Sequence, residues 1–100
     1  SPDEQASFLT RLYRGETAFR PEVVATVERM MRIDEKDGAV FSGKTGSGRT
    51  SGKPGLGWFV GHVASPRGER VFVIEIEGAD ARGPKARDLA RAMLGARGWM

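Results

Sequence analysis

The sequence has no cysteine, one histidine and no long run of apolar residues. Without cysteine, the chain has no disulfide, no thiol nucleophile and no thiolate metal site. The single histidine, His62, excludes a histidine-cluster metal site, and we expect neither a metal nor a cofactor. No apolar stretch approaches the roughly 20 residues that cross a bilayer, so we expect no membrane span in this chain. No secretory signal peptide is recognisable either.

The net charge of +3 on the 100 residues is unevenly distributed. Residues 1–40 hold 8 acids and 6 bases, whereas residues 41–70 and residues 81–100 each hold 5 bases and 1 acid. This surplus of bases indicates an anionic ligand, although a solvated basic surface would give the same counts. Of the functions considered for this sequence, a nucleic-acid-binding module is the least favoured, because no strand alternates basic residues with exposed aromatic residues. We therefore expect no nucleic-acid partner. The basic residues of such a module would be Arg49, Lys53, Arg67 and Arg70.

The apolar periodicity predicts the order helix, helix, strand, strand, strand, helix. This order is typical of an α+β fold, with an antiparallel three-stranded meander packed by helices. The complete helix start at Ser1, with its capping box, leads us to expect a chain cut from a longer one. The predicted limits are helices from Ser1 to Gly15, from Pro21 onward and from Pro84 to Gly95 or Gly98, strands from Val40 to Thr45, Leu56 to Val63 and Val71 to Glu77, and loops from Asp34 to Gly38 and from Ser47 to Gly55.

The residues from Gly38 to Thr45 match the letter pattern of a phosphate-binding P-loop. That motif requires a helix that begins at the lysine, so that the helix N-terminus faces phosphate. Here Val40 and Phe41 are strand formers, and the glycine-rich stretch after Thr45 cannot begin a helix. We therefore reject the P-loop.

The tripeptide Lys44-Thr45-Gly46 at the end of the first strand has a second interpretation. Lysine supplies a positive charge for a carboxylate, and the threonine hydroxyl donates a hydrogen bond to it. Glycine leaves room for a ligand against the strand, where a backbone N–H can polarise a carbonyl. Lys-Thr-Gly is one of the signature motifs of penicillin-recognising serine enzymes. A bare tripeptide also occurs by chance, so the surrounding residues decide.

Those surroundings resemble class D (oxacillinase-type) β-lactamases, and the related penicillin-sensing domains of β-lactam receptor-transducers share the same features. The resemblance is carried by Lys44-Thr45-Gly46, by the segment from Gly57 to Val63, and by similar segments before and after them, from Ser1 to Tyr13 and from Gly83 to Leu94. It covers essentially the whole chain. Residues 1–100 are thus similar to the C-terminal portion of a β-lactamase/transpeptidase-like domain.

The resemblance implies a substrate-binding role for a small set of residues. Lys44 and Thr45 would bind substrate beside Gly46, and the backbone N–H of Ser47 would belong to the oxyanion hole. Trp58 and Gly61 would lie near the cleft. The substrate carboxylate would be held by a basic residue early in the last helix. That residue is Arg87 or, because the helix phase is ambiguous, Lys85.

The nucleophile that the resemblance implies is missing. In this family it is the serine of Ser-x-x-Lys, and none of the serines here has a lysine three positions later. We expect it upstream, in the N-terminal remainder of the enzyme. The predicted function of the complete protein is that of a β-lactam-recognising serine hydrolase located outside the cytoplasm. This chain would supply its Lys-Thr-Gly strand and would be inactive alone. The alternative is a penicillin sensor or inactive paralogue that binds a β-lactam or peptidoglycan-like ligand without turnover.

Two remaining groups of titratable residues have simpler explanations. His62 lies within an apolar strand and is expected to be a packed strand residue rather than a general base. Glu75 and Glu77 share one strand face, as a catalytic carboxylate pair would. A charged solvent face explains them more simply.

Overall fold

A computed structural model describes residues 1–49, 52 and 54–100. Its strands form one antiparallel sheet in the order β1-β2-β3-β4. The elements are α1 Pro2–Tyr13, α2 Pro21–Met31, β1 Arg32–Lys36, β2 Ala39–Gly48, β3 Gly55–Ser65, β4 Gly68–Gly78 and α3 Gly83–Ala96. The α+β class and the antiparallel meander packed by helices are confirmed.

The described sheet has a fourth strand where a loop was expected. β1 occupies most of the stretch from Asp34 to Gly38 and pairs with β2 through a two-residue turn, Asp37-Gly38. Both turn residues have positive φ, 52° and 81°, as the tightest hairpin turns require. We missed β1 because its five residues are mostly charged and exposed. An Asp-Gly pair before an apolar strand was the available signal.

The predicted loop from Ser47 to Gly55 is shorter than expected, because β2 continues through Gly48 and β3 begins at Gly55. Part of this loop lies outside the described residues, namely Thr50, Ser51 and Lys53. The Lys53 member of the nucleic-acid hypothesis is therefore also outside them.

Helices cover both faces of the sheet. On one face, α3 packs over a core that includes the fully buried Phe41 and Phe59 and reaches Leu94 and Trp99. On the other face, α1 and α2 bury Leu9, Leu12 and Val24 against the sheet residues Val60 and Val71. Because side chains alternate along a strand, each residue of β2 is assigned to one helix layer or the other.

Trp99, next to the last residue of this sequence, is 9% exposed and packs into the protein. The guanidinium groups of Arg67 and Arg70 lie 4.5 and 4.7 Å from its ring centroid. Arg67 Nη1 also donates a hydrogen bond to the Arg97 carbonyl at 2.6 Å. The β3–β4 turn is thereby tied to the segment that follows α3.

Candidate functional site

Among the described strands, six of the ten residues of β2 have a strand neighbour on only one side. The β1 register runs from Lys36 opposite Ala39 to Arg32 opposite Ser42, and ends there. The β3 register continues to Gly48. Within the described residues, Gly43–Gly48 therefore forms an open strand edge, and this segment contains the Lys-Thr-Gly tripeptide. An open edge offers unpaired backbone N–H and C=O groups to a ligand.

Lys44 is exposed on this open edge. Its Nζ donates a hydrogen bond to the carbonyl of Thr45 at 3.1 Å. Across the part of the chain that the structure describes, no carboxylate forms an ion pair with it. The ammonium charge is therefore held close to the strand and is available to an anion.

The indole ring of Trp58 lies directly over Gly46, its cross-strand partner. A Cβ added at Gly46 would lie 2.1 Å from Trp58 Cε2 and 2.4 Å from Nε1. No residue with a side chain fits there unless the ring moves. The structure thus places Trp58 beside the tripeptide, on the α1/α2 face of the sheet together with Lys44.

Thr45 and Ser47 face the opposite side, where α3 begins. A Cβ at Gly83, the first residue of α3, would lie 2.7 Å from Thr45 Cβ and 2.9 Å from the nitrogen and oxygen of Gly46. The Gly83 N–H donates a hydrogen bond to Ser47 Oγ at 2.8 Å. The start of α3 therefore rests on the open edge itself.

The helix phase places Arg87 and Lys85 differently. Residues 83, 87 and 91 share one face of α3, because they are four positions apart. Gly83 contacts the edge, and Arg91 Nη2 lies 3.3 Å from Asp34 Oδ2 of β1. Arg87 thus lies on the face of α3 that turns toward the β1–β2 side, with its Nε 3.3 Å from the exposed carboxylate of Asp88.

Lys85 is exposed and lines a separate cavity of about 400 Å³ with Arg49, Asp80 and Arg82. Both basic residues belong to the first two turns of α3. The phase argument favours Arg87 as the residue closer to the open edge, and the assignment of a carboxylate ligand stays a prediction.

Gly61 lies in the core beneath α3. A Cβ there would lie 2.5 Å from Phe72 Cζ and 2.6 Å from Phe59 Cε2. Its cross-strand partner Gly43 has the same function, since a Cβ at that position would lie 2.2 Å from Phe59 Cζ. Gly61 therefore makes room for two phenyl rings, and its predicted place near the cleft is not tested by this packing.

His62 is buried, with 4% of its surface exposed, and stacks on Tyr13 with ring centroids 3.7 Å apart. Its Nε2 lies 2.9 Å from Glu69 Oε1, a partner that the sequence reasoning missed. The β3–β4 register explains the contact, because Glu69 is two positions from Val71, which is opposite His62. A hairpin register drawn from the turn at Ser65–Gly68 would have revealed it.

Tyr13 completes this buried cluster. Burial raises the pKa of Tyr13 above its ordinary value, and the nearby Ser42 side chain acts in the opposite direction. Even so, no hydrogen bond of good geometry reaches the Tyr13 hydroxyl from any described residue. His62 and Tyr13 together line a cavity of about 450 Å³ beside α1, on the helix layer that Thr45 and Ser47 do not face.

The other charged residues named in the sequence analysis lie in different parts of the described structure. Arg49 donates to the Ala79 carbonyl at 2.8 Å, beyond the far end of β4 from Arg67 and Arg70, which contact Trp99. Glu75 and Glu77 are both exposed. Of the described basic residues named for a nucleic-acid module, Arg49 is therefore separated from Arg67 and Arg70, and all three contact groups within the chain.

The comparisons with known proteins all indicate the same family. The family described as the penicillin binding protein transpeptidase domain matches residues 1–95. The regulatory protein BlaR1 of Bacillus licheniformis is 34% identical over 99 residues, which are 98% of this chain and 16% of that protein. The protein named "Probable beta-lactamase YbxI" of Bacillus subtilis is 39% identical over 94 residues, which are 94% of this chain and 33% of that protein.

Solved structures extend the likeness to the whole chain. The C-terminal domain of the Bacillus licheniformis BlaR penicillin-receptor aligns with a TM-score of 0.92 and 34% identity over 100% of this chain and 41% of that one. A class D β-lactamase from Bacillus subtilis aligns with a TM-score of 0.88 and 36% identity over 100% of this chain and 40% of that one. The chain spans well under half of each of these relatives.

Proposed function

Because the chain belongs to the penicillin-binding-protein transpeptidase family, we propose that it forms one wall of a β-lactam site in a longer serine hydrolase of the class D β-lactamase type. The observation that carries the proposal is the open edge at Gly43–Gly48. It presents Lys44 without an ion pair among the described residues, beside a strand edge that no other described strand covers. Charge and free backbone groups at one edge suit a ligand that has both a carboxylate and an amide.

In this proposal, the residues on the two faces of the open edge have different functions. Lys44 supplies positive charge, while Thr45 and Arg87, on the α3 side, hold the substrate carboxylate. The backbone N–H of Ser47 stabilises the oxyanion that forms at the β-lactam carbonyl. Gly46 has no side chain, and Trp58 fills the space that a side chain at this position would occupy.

The reaction requires a serine from polypeptide outside residues 1–100. Its hydroxyl oxygen attacks the β-lactam carbonyl, the ring C–N bond breaks, and the ring nitrogen takes the proton. Water then hydrolyses the resulting ester and regenerates the serine. Since this chain has no Ser-x-x-Lys, it supplies binding and electrostatics and is inactive alone. We place the complete protein outside the cytoplasm, where the targets of β-lactams lie.

The second candidate is a penicillin sensor, which is acylated once and does not turn over. The observation that favours it is the TM-score of 0.92 with the BlaR penicillin-receptor domain. Both candidates use the same edge in the acylation step. They differ in deacylation, which depends on residues outside this chain.

The test uses the full-length polypeptide that contains this chain. Nitrocefin turnover distinguishes a hydrolase from a sensor, and intact mass after penicillin treatment locates the acylated serine. Lys44→Ala should lower the second-order acylation rate about 10- to 100-fold, because a hydrogen bond to a charged group contributes about 1.5–3 kcal/mol. Lys36→Ala is the matched control, an exposed lysine on the same sheet away from the open edge. Full activity in Lys44→Ala would refute the assignment.

A further inference from the structure

The side chain of Ser47 joins the open edge to the first turn of α3. Its hydroxyl accepts the Gly83 N–H at 2.8 Å, across 36 positions of sequence. That N–H is one of the orphan donors with which every helix begins. Arg82, at the N-cap position, gives α3 no side-chain cap. Ser47 therefore acts as a cap that is supplied from the neighbouring strand.

The surface beneath this hydrogen bond is backbone packed on backbone. A Cβ at Gly57 would lie 2.3 Å from the Arg82 carbonyl carbon, and one at Gly83 would lie 2.9 Å from the Gly46 nitrogen. Two glycines thus let the start of α3 lie directly on β2 and β3. Thr45 Cβ adds a steric contact beside Gly83, and among the described residues the Ser47 hydrogen bond is the directional contact between this surface and the first residue of α3.

We infer that the Ser47 hydroxyl positions Arg87, by holding Gly83 against Thr45 one helical turn before the guanidinium group. This inference rests on the proposed function, which gives Arg87 the substrate carboxylate. It is separate from the backbone N–H of residue 47, which both alanine and threonine retain. Replacing the hydroxyl therefore tests the side chain alone.

The first test measures amide hydrogen exchange in the full-length polypeptide. Ser47→Ala removes the acceptor, so exchange at Gly83 should accelerate about two- to tenfold, the value of one neutral hydrogen bond. Ser47→Thr retains a hydroxyl and should restore the protection. Ser65→Ala is the matched control, since its Oγ accepts the Arg67 N–H at 3.1 Å at the other end of β3. Unchanged exchange at Gly83 in Ser47→Ala would overturn the capping role.

The second test measures acylation by benzylpenicillin and by its methyl ester, which lacks the carboxylate. Ser47→Ala should weaken apparent binding of the acid about two- to tenfold more than that of the ester. In an Arg87→Ala background, the same substitution should have no further effect. Equal weakening of acid and ester, or an undiminished effect without Arg87, would overturn the positioning role. If the full-length polypeptide binds no penicillin, both the proposed function and the positioning role of Ser47 are refuted. The hydrogen-exchange result still determines whether Ser47 caps α3.

Discussion

Gly61→Ala should destabilise the protein without changing the β-lactam binding that we propose for the full-length polypeptide. The added methyl group would lie within 2.6 Å of Phe59 Cε2 and of Phe72 Cε2, and 2.5 Å from Phe72 Cζ. Real Cβ atoms keep contacts of about 3.5–4.0 Å, so each ring must move by about 1 Å. A glycine that lined the cleft would give the opposite result, a change in binding at constant stability.

The two rings differ in how easily they can move. Phe59 is fully buried and stacks on Phe41 with centroids 5.4 Å apart, so its displacement disturbs the centre of the core. Phe72 is only partly buried and lies on the edge strand β4, so it can shift at lower cost. Overpacking a core costs about 1–3 kcal/mol, and we expect a value near the middle, about 2 kcal/mol.

Urea unfolding of the full-length polypeptide measures this loss, with penicillin acylation as the second readout. Gly95→Ala is a control of opposite sign. A Cβ at Gly95 meets only the Met100 carbonyl oxygen at 3.9 Å, and alanine favours a helix over glycine by about 0.5–1 kcal/mol. Gly61→Ala with wild-type stability and weakened acylation would refute the core assignment.

Two further predictions concern buried aromatic residues. Trp99→Ala should lower the free energy of unfolding by about 3–5 kcal/mol, because the buried indole packs against Arg67 and Arg70; a loss below about 1 kcal/mol in urea unfolding would contradict this. Tyr13→Phe should raise the free energy of unfolding at pH 7 by about 1 kcal/mol, since the buried hydroxyl has no hydrogen bond of good geometry to a described residue and carries a desolvation penalty. Because the folded-state pKa of Tyr13 is raised, the part of the stability that is linked to its protonation is fully present below about pH 10 and is lost as pH rises through that pKa. Unfolding of both proteins between pH 7 and 11 should therefore show a shallower alkaline decline for the phenylalanine variant.

The sequence was sufficient for the parts of the fold that follow from local chemistry. Ser1 caps α1 as expected, with its Oγ accepting the Glu4 N–H at 3.2 Å. Helices α2 and α3 each begin with proline in the first positions, and β2 to β4 contain the three predicted strands. Each of these signals depends on a few adjacent residues, so periodicity and capping rules were enough. The family was also predictable, because several short segments between Ser1 and Leu94 resemble it together.

The contacts between distant residues could not be predicted in the same way. The Ser47 hydroxyl and the Gly83 N–H are 36 positions apart, and nothing in either segment alone indicates their hydrogen bond. The contact between His62 and Glu69 depends on the register of the β3–β4 hairpin. A register shift of one residue would place the two side chains on opposite faces of the sheet. Helix phase likewise separates Arg87 from Lys85 only once Gly83 is placed on the strand. Local propensity carries no information about these registers.

The position at which the edge opens is set by α2. This helix ends at Met31 and β1 begins at Arg32, with no linker between them. A helix has no free ladder hydrogen bonds to offer a strand, so pairing with β2 can begin only where the chain leaves the helix, opposite Ser42. Among the described strands, the six residues from Gly43 to Gly48 are left without a second neighbour over about 20 Å, at roughly 3.4 Å per residue. Ending α2 one residue later would lengthen the edge and ending it one residue earlier would shorten it, so the junction of α2 with the charged strand β1 sets the length of the open edge.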